Sequence, residues 1–500
     1  MSGLEDQSLQ IGEQGATVSP DGPSFPAVST QTDAAGVVSN PESTYDAVLQ
    51  RLAIDPSMLD PKETDLGTLN RAIEAAFGRI NFVDDVEPEV VAGNFTRREK
   101  GFSPVEFPIS NQLRALRNPE NAAKTVDVHA LSVGGTNVLA GRGKYSTTSK
   151  LALNEFSSKV LRPANSKEPL RCTTASEYWQ KVLPEEFVES LRRAADSGKS
   201  PRVSLSLAYP IDAQGCIAHF ADKVDCPELA PRGAGVERSS ERKISAVASF
   251  CEYLGTLGIK ISQNEVSICP NDTVATAFAF SQKFAEHDNV GAMIIGTGSN
   301  AFVVNGGKGV NTECGHSNCF RATALDEKVC ANQPEPFNPS FESMVSGKVM
   351  GELFREAVTN VFGESHHAVK WLNAHGDDLL PTIIHLAFND TSMLHDHDNP
   401  NERMGLCFIA HGICDRAAKY AASMLQGLAV AHGEPRTVFF ADGSLITKNP
   451  KFCELINRHA GRKILVVEDL PVDNKTSGKV NLDASFVGTF AWGGLEELAA

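Results

Sequence analysis

Two distant segments of this chain are written to one plan. VDVHALSVGGTNVLAGRG, Val126 to Gly143, and NVGAMIIGTGSNAFVVNGG, Asn289 to Gly307, each read as an apolar strand, a turn of glycine, threonine and asparagine, and a second strand. A chain that repeats this unit is constrained toward two lobes of related α/β architecture. A third glycine turn, FFADGSLI from Phe439 to Ile446, again follows an apolar strand. Glycines in such turns supply positive φ and let backbone N–H groups approach a bound anion, which suits phosphate. Short Val/Ile/Leu runs alternate with helical stretches such as Ile413, Ala417, Met424 and Leu428, as an α/β chain requires.

Composition narrows the partners. Lys+Arg of 46 against Asp+Glu of 62 leaves a net charge of −16, which repels a nucleic-acid backbone at long range and leaves room for small anions in a glycine-lined pocket. Eleven cysteines, an odd number spread singly from Cys172 to Cys453, do not form a secreted disulfide framework. No apolar run approaches the roughly 18 residues of a membrane span. Nothing before Arg51 is Lys or Arg, so the expectation is a cytoplasmic protein with no membrane partner. Residues 1–43, rich in Ser, Thr, Gln, Gly and Pro with scattered acids, are expected to be a disordered acidic tail. After Asp65, a good N-cap, Leu66, Leu69, Ile73, Phe77 and Ile80 recur at helical spacing, which predicts an amphipathic helix.

Three glycine turns in this order, with PNDTVATAF (Pro270 to Phe278) between the first two, resemble the hexokinase family of sugar kinases, in the actin-like ATPase superfamily. FNPSFESMVSGKVMGELFRE (Phe337 to Glu356), GICDRAAKYAASMLQGLA (Gly412 to Ala429) and DGSLITKNPKF (Asp442 to Phe452) extend the resemblance from about Tyr45 to the C-terminus, strongest from Ser204 onward. It implies a two-lobed α/β hexokinase fold, built of ribonuclease H-like domains, around a central cleft with sugar at its base and ATP with Mg²⁺ above. It also implies that residues 44–270 form the N-terminal half, with a small lobe at 126–270. Residues 271–500 form the C-terminal half and large lobe, from which the last helix returns to the small lobe.

The resemblance assigns roles residue by residue. Asp272 matches the base that accepts the sugar hydroxyl proton, and the helix N-terminus ahead of which it sits favours an ionised carboxylate. Asn271, Asp272, Asn300, Glu313 and Glu342 match sugar-holding positions, and paired amides and carboxylates are what a polyol needs. Gly134, Gly135 and Thr136 in the first turn, and Gly296, Thr297 and Gly298 in the second, match the phosphate contacts. Asp442, Gly443 and Ser444 match the nucleotide end. No dedicated metal-ligand set is assigned.

Departures are concentrated in the first half. Ser132 stands where the family has the Asp that orders metal-bound water, Leu139 where Arg is usual, and Ala208 where a sugar-contacting Ser lies. CIAHFADKV, Cys216 to Val224, replaces the family's Trp-Thr-Lys-Gly-Phe and puts Ala221 and Asp222 on its Thr and Lys, or Lys223 with one residue of slippage. ECGH, Glu313 to His316, is also similar to the Glu-x-Gly-His of bacterial repressor-type sugar kinases, without the accompanying cysteine knuckle for zinc. HDHD, His395 to Asp398, reads as a solvated loop. The expected activity is transfer of the γ-phosphoryl group of MgATP to the 6-hydroxyl of glucose or a related hexose. The alternative is a catalytically weak relative that binds sugar and acts as a sensor or regulator.

Overall fold

The computed structural model describes residues 87–500 apart from 135–136, 162–167, 210, 213–214, 219, 221–223, 231–243, 286, 288, 297, 306, 334–335, 375–378, 389–399 and 474–481. The tail at 1–43, the helix read over Leu66 to Ile80, Ala221 to Lys223 and the HDHD stretch lie outside the described residues.

The strands of the two main sheets are β1 (Val105–Pro108), β2 (Val126–Val133), β3 (Asn137–Tyr145), β4 (Ala152–Val160), β5 (Arg202–Leu207), β6 (Val266–Cys269), β7 (Val290–Ile295), β8 (Ser299–Asn305), β9 (Lys308–Asn311), β10 (Val438–Asp442) and β11 (Leu465–Val466). The helices that matter to the site are α1 (Pro88–Thr96), α2 (Ala175–Val182), α3 (Glu185–Asp196), α4 (Ala246–Thr256), α5 (Asp272–Ala279), α6 (Ala324–Ala331), α7 (Phe341–Val345), α8 (Gly347–Phe362), α9 (Pro400–Ala431), α10 (Ser444–Thr447), α11 (Pro450–His459) and α12 (Ala484–Ala499).

The repeated motif becomes a repeated sheet. One sheet runs β4-β3-β2-β5-β6, and the other runs β9-β8-β7-β10-β11 with β1 added beside β9. In each, a strand pairs antiparallel with its hairpin partner, that partner pairs antiparallel with a third, and two parallel strands lie on the other side. The parallel additions need crossovers through helices, which is why helical stretches separate the short strand runs in sequence.

Each sheet has its own core. Leu131, Val133, Val203 and Leu205 pack with Trp179, Phe187 and Phe250 from α2, α3 and α4. Met293, Ile295, Ala301 and Val303 pack against α8 and the long α9, where Ile409, Ile413, Ala417, Met424 and Leu428 face inward at helical spacing. A buried ion pair ties α9 to α6: Arg416 donates two 2.9 Å hydrogen bonds to Asp326, which also closes the capping box at Thr323. Breaking such a pair by removing one partner costs about 3–5 kcal/mol, because the other charge stays buried.

Two helices bridge the sheets. α5, DTVATAFA, is buried from Thr273 to Ala279, which suits a helix whose surface is small and apolar all round. α12 lies against it so closely that a Cβ on Gly488 would come 1.6 Å from the carbonyl oxygen of Ala275. Residues from both sheets, Val128 and Leu153 on one side and Val290 and Phe440 on the other, share a cluster with Phe486 and Phe490 of α12. The N-termini of these two helices therefore stand where the two sheets meet.

Candidate active site

Asp272 is the first residue of α5. Asn271 is its N-cap, its side-chain oxygen accepting the Thr273 N–H at 2.7 Å. The cap of α5 is thus Asn271 rather than Asp272. Asp272 Oδ1 also accepts from the Thr273 N–H at 2.8 Å, and its carboxyl is pushed up to about 6. Burial is the chief cause, opposed by the Thr273 N–H and reinforced by the nearby carboxylates of Glu313 and Asp442.

The sugar-side residues form one connected network. Asn300 Nδ2 donates to Asn311 Oδ1 at 2.7 Å, and Asn311 Nδ2 donates to Glu313 Oε1 at 2.6 Å. Asn311, 2% exposed, is the link that sequence reasoning missed. The available signal was its spacing of two from Glu313, next to the end of β9. Glu313 holds a left-handed backbone (φ 51°), a conformation that costs a non-glycine residue energy and keeps this carboxylate turned out of the regular strand path. Its pKa is raised by burial first and by Glu342, against the pull of His316 and Asn311. His316 Nε2 lies 3.9 Å from Glu313 Oε2. Glu342, on α7, accepts the Ser299 N–H at 2.9 Å, and a Cβ on Gly298 would sit 3.0 Å from its Oε2.

Of the turn residues, Gly135, Thr136 and Thr297 lie outside the described residues. The first hairpin closes with the Gly134 N–H donating to Asn137 O at 2.9 Å, and the second with the Gly296 N–H donating to Gly298 O at 2.8 Å. Gly443 is glycine by necessity: its φ is +95°, and a Cβ would meet Ile295 O at 2.4 Å. It brings the third turn directly against the second, with Ser444 N 3.7 Å from where a Gly296 Cβ would stand.

Asp442 ends β10 and faces the N-terminus of α12. It accepts from the Gly443 N–H at 2.7 Å and from Thr276 Oγ1 at 3.4 Å, one turn along α5 from Asp272. Burial raises its pKa, while backbone N–H groups of Gly443, Ala484 and Ser485 counter the rise. Asp483, also missed from sequence, N-caps α12 through the Phe486 N–H at 2.7 Å and is pushed up to about 6 by burial and by Asp442. Ser132 is 7% exposed, and its Oγ lies 3.4 Å from Ser485 Oγ, which donates to Asp483. The result is a run of acids in which Glu342 raises Glu313, Glu313 and Asp442 raise Asp272, and Asp442 raises Asp483. The strongest electrostatic neighbours of Asp272 and Asp483 among the described residues are other carboxylates. Among the described residues no group of three or more His, Cys, Asp or Glu is arranged to hold a metal, and no helix is long and apolar enough to cross a membrane.

Comparison with known proteins gives this arrangement its class. Residues 290–489 match the family model described as Hexokinase. The chain is 25% identical over 410 residues to Hexokinase-2 of Schizosaccharomyces pombe, an alignment covering 69% of this chain and 80% of that one. It is 27% identical over 255 residues to Hexokinase-1 of Oryza sativa subsp. japonica, covering 40% of this chain, and spans about half the length of that relative. A hexokinase from Schistosoma mansoni complexed with glucose superposes with a TM-score of 0.57 at 16% identity, covering 85% of this chain and 99% of that one. A second hexokinase crystal structure gives 0.59 at 18%, covering 86% and 99%. At these identities the structural likeness establishes the fold alone, the two-lobed α/β fold of those hexokinase structures. The resemblance to hexokinases read from the motifs is a real one.

Proposed function

We propose that this chain is an ATP-dependent hexose kinase that moves the γ-phosphoryl group of MgATP to the 6-hydroxyl of glucose or a related hexose. The observation that carries the reading is the convergence of Asp272 with the Asn300–Asn311–Glu313 network and Glu342. These side chains come from four separate stretches of chain, and electrostatic coupling of Glu313 to Asp272 and to Glu342 joins them. Amide donors and carboxylate acceptors alternate there, which is the complement of a polyol whose every hydroxyl both gives and takes a hydrogen bond.

In this reading Glu313, Glu342 and Asn300 hold the sugar while Asp272 accepts the proton of the attacking hydroxyl. Phosphoryl transfer asks little covalent work of a protein beyond this positioning. Mg²⁺, when bound with ATP, spreads the charge of the phosphates. The donor set at the nucleotide end, Asp442 and Asp483 with the hydroxyls of Ser485 and Ser132, is all oxygen, so it fits a hard divalent ion. In this reading the glycines of the second and third turns, brought together at Gly443, leave the backbone open to close approach by phosphate.

One observation favours the second reading, a catalytically weak relative that binds sugar as a sensor or regulator. Ser132, where the resemblance expects a carboxylate, is buried against Ser485 and brings no charge to the metal. The deciding experiment is ADP release from purified protein with MgATP and a panel of hexoses, beside calorimetric titration of the same sugars. Sugar-dependent turnover supports the kinase; sugar binding without turnover supports the sensor; neither overturns both.

A further inference from the structure

A pair of thiols outside the cleft carries a second chemistry. Leu170–Arg171 and Val224–Asp225 pair as short parallel strands, Leu170 opposite Val224 and Arg171 opposite Asp225. The Cys172 N–H donates to Asp225 O at 2.8 Å and closes the Arg171–Asp225 step, so Cys172 and Cys226 are the next residues along the two strands. This register sets Cys172 beside Cys226, and neighbours in a parallel ladder direct their side chains to the same face. Adjacent strands lie about 4.7–4.9 Å apart, inside the Cα separation of about 4.4–6.8 Å that a disulfide tolerates.

Both cysteines belong to the same buried cluster, at 5% and 0% exposure. Their thiols are within hydrogen-bonding reach of each other, which holds Cys226 below the ordinary thiol pKa and, with burial, pushes Cys172 up. Cys226 Sγ also contacts Thr174 O at 3.5 Å, at the N-cap of α2, and Glu228 accepts the Ala175 N–H there. Seven of the other nine cysteines lie on other helices and strands, and Cys216 and Cys319 lie between elements. Cys226 lies two residues beyond the segment Cys216 to Val224, whose entry is fastened by bridges from Ile211 to Ile217 and from Cys216 to Ser245.

We propose that Cys172 and Cys226 are a redox modification site, forming a reversible disulfide that pins the exit of the 216–224 segment to the start of α2. The oxidant is a hydroperoxide such as hydrogen peroxide. The Cys226 thiolate attacks one peroxide oxygen; the O–O bond breaks, hydroxide leaves and takes up the proton the thiol had lost, and Cys226 becomes a sulfenic acid. The Cys172 sulfur then attacks that sulfur, its proton leaves with the displaced hydroxide as water, and the S–S bond forms. Two thiols and one peroxide give one disulfide and two waters. The neighbouring partner is already in place, so capture of the sulfenic acid outruns further oxidation. This inference is independent of whether the cleft phosphorylates sugar.

The test uses the full chain, unaltered. After treatment with hydrogen peroxide, alkylation in denaturant and peptide mapping should show the Cys172–Cys226 cross-link and the loss of two of the eleven free thiols, both reversed by dithiothreitol. Cys251→Ser, on α4, should leave the cross-link intact, whereas Cys172→Ser and Cys226→Ser should each abolish it. Recovery of both thiols alkylated while other cysteines oxidise overturns the proposal. So does recovery of either sulfur as a sulfinic acid or in a disulfide with another partner.

Discussion

The two sheets share strand order and pairing sense but differ in what stands at equivalent strand ends. In the first, Ser132 pairs with Ser206 beside the Gly134 turn; in the second, Ile294 pairs with Asp442 beside the Gly296 turn. The first sheet thus presents two small neutral hydroxyls, and the second a carboxylate and the hairpin that leads to Asn300, Asn311 and Glu313. The match to the family model, residues 290–489, falls on the second half alone. Backbone architecture survives where side-chain chemistry has changed, because strand pairing is held by main-chain hydrogen bonds and apolar packing that a Ser or an Asp at a strand end does not decide.

The sharpest way to break this comparison is Asp272→Ala. In the kinase reading it lowers sugar-dependent ADP formation by about 10²–10⁴-fold. Calorimetric sugar affinity and the fold should be largely kept; unchanged turnover removes Asp272 from the base role. Glu313→Gln keeps the shape and removes the charge, and should weaken sugar binding by about 10–100-fold, read by titration. Asn311→Ala leaves Asn300 and Glu313 without their shared partner and should cost about 1–2 kcal/mol of sugar affinity, with kcat less affected than KM. An effect confined to melting temperature would make the Asn311 link structural only.

Acidity offers a subtler probe. With its pKa near 6, Asp272 is ionised above that pH and protonated below it, so kcat/KM should fall as pH drops through about 6 rather than through about 4. The sign for stability is opposite. A carboxyl whose pKa is raised on folding holds its proton more tightly in the fold than in the unfolded chain, so its ionisation above pH 6 destabilises the fold, and stability returns as pH falls toward the unfolded value near 4. Asp272→Asn should therefore melt no lower than the parent at pH 8, while losing turnover. The smallest expected effect belongs to the first sheet: Ser132→Asp should raise turnover a few-fold and lower the Mg²⁺ concentration needed for half-maximal rate. No change in Mg²⁺ dependence would mean that the first sheet no longer faces the metal.

Much of this was legible in the chain itself. The strand–turn–strand repeat predicted two lobes of related architecture, and two sheets of like strand order carry it, while Asp442-Gly443 announced a turn whose φ only glycine meets. Asn311 and Asp483 were not legible. Each is an ordinary polar residue at a strand end or a helix cap, and each gained its role from a neighbour distant in sequence: Asn300 for one, Asp442 for the other.

The sequence by itself determined the local units, the hairpins and the capped helix at Asn271, because these follow from glycine conformations, apolar periodicity and short-range hydrogen bonds. Only the tertiary structure decided that α5 and α12 lie between the sheets at Gly488 and Ala275. That packing sets Asp442 beside Asp483 at the N-terminus of α12 and buries Asp272, which raises its pKa. Desolvation and charge coupling act through space, between groups that the chain keeps far apart.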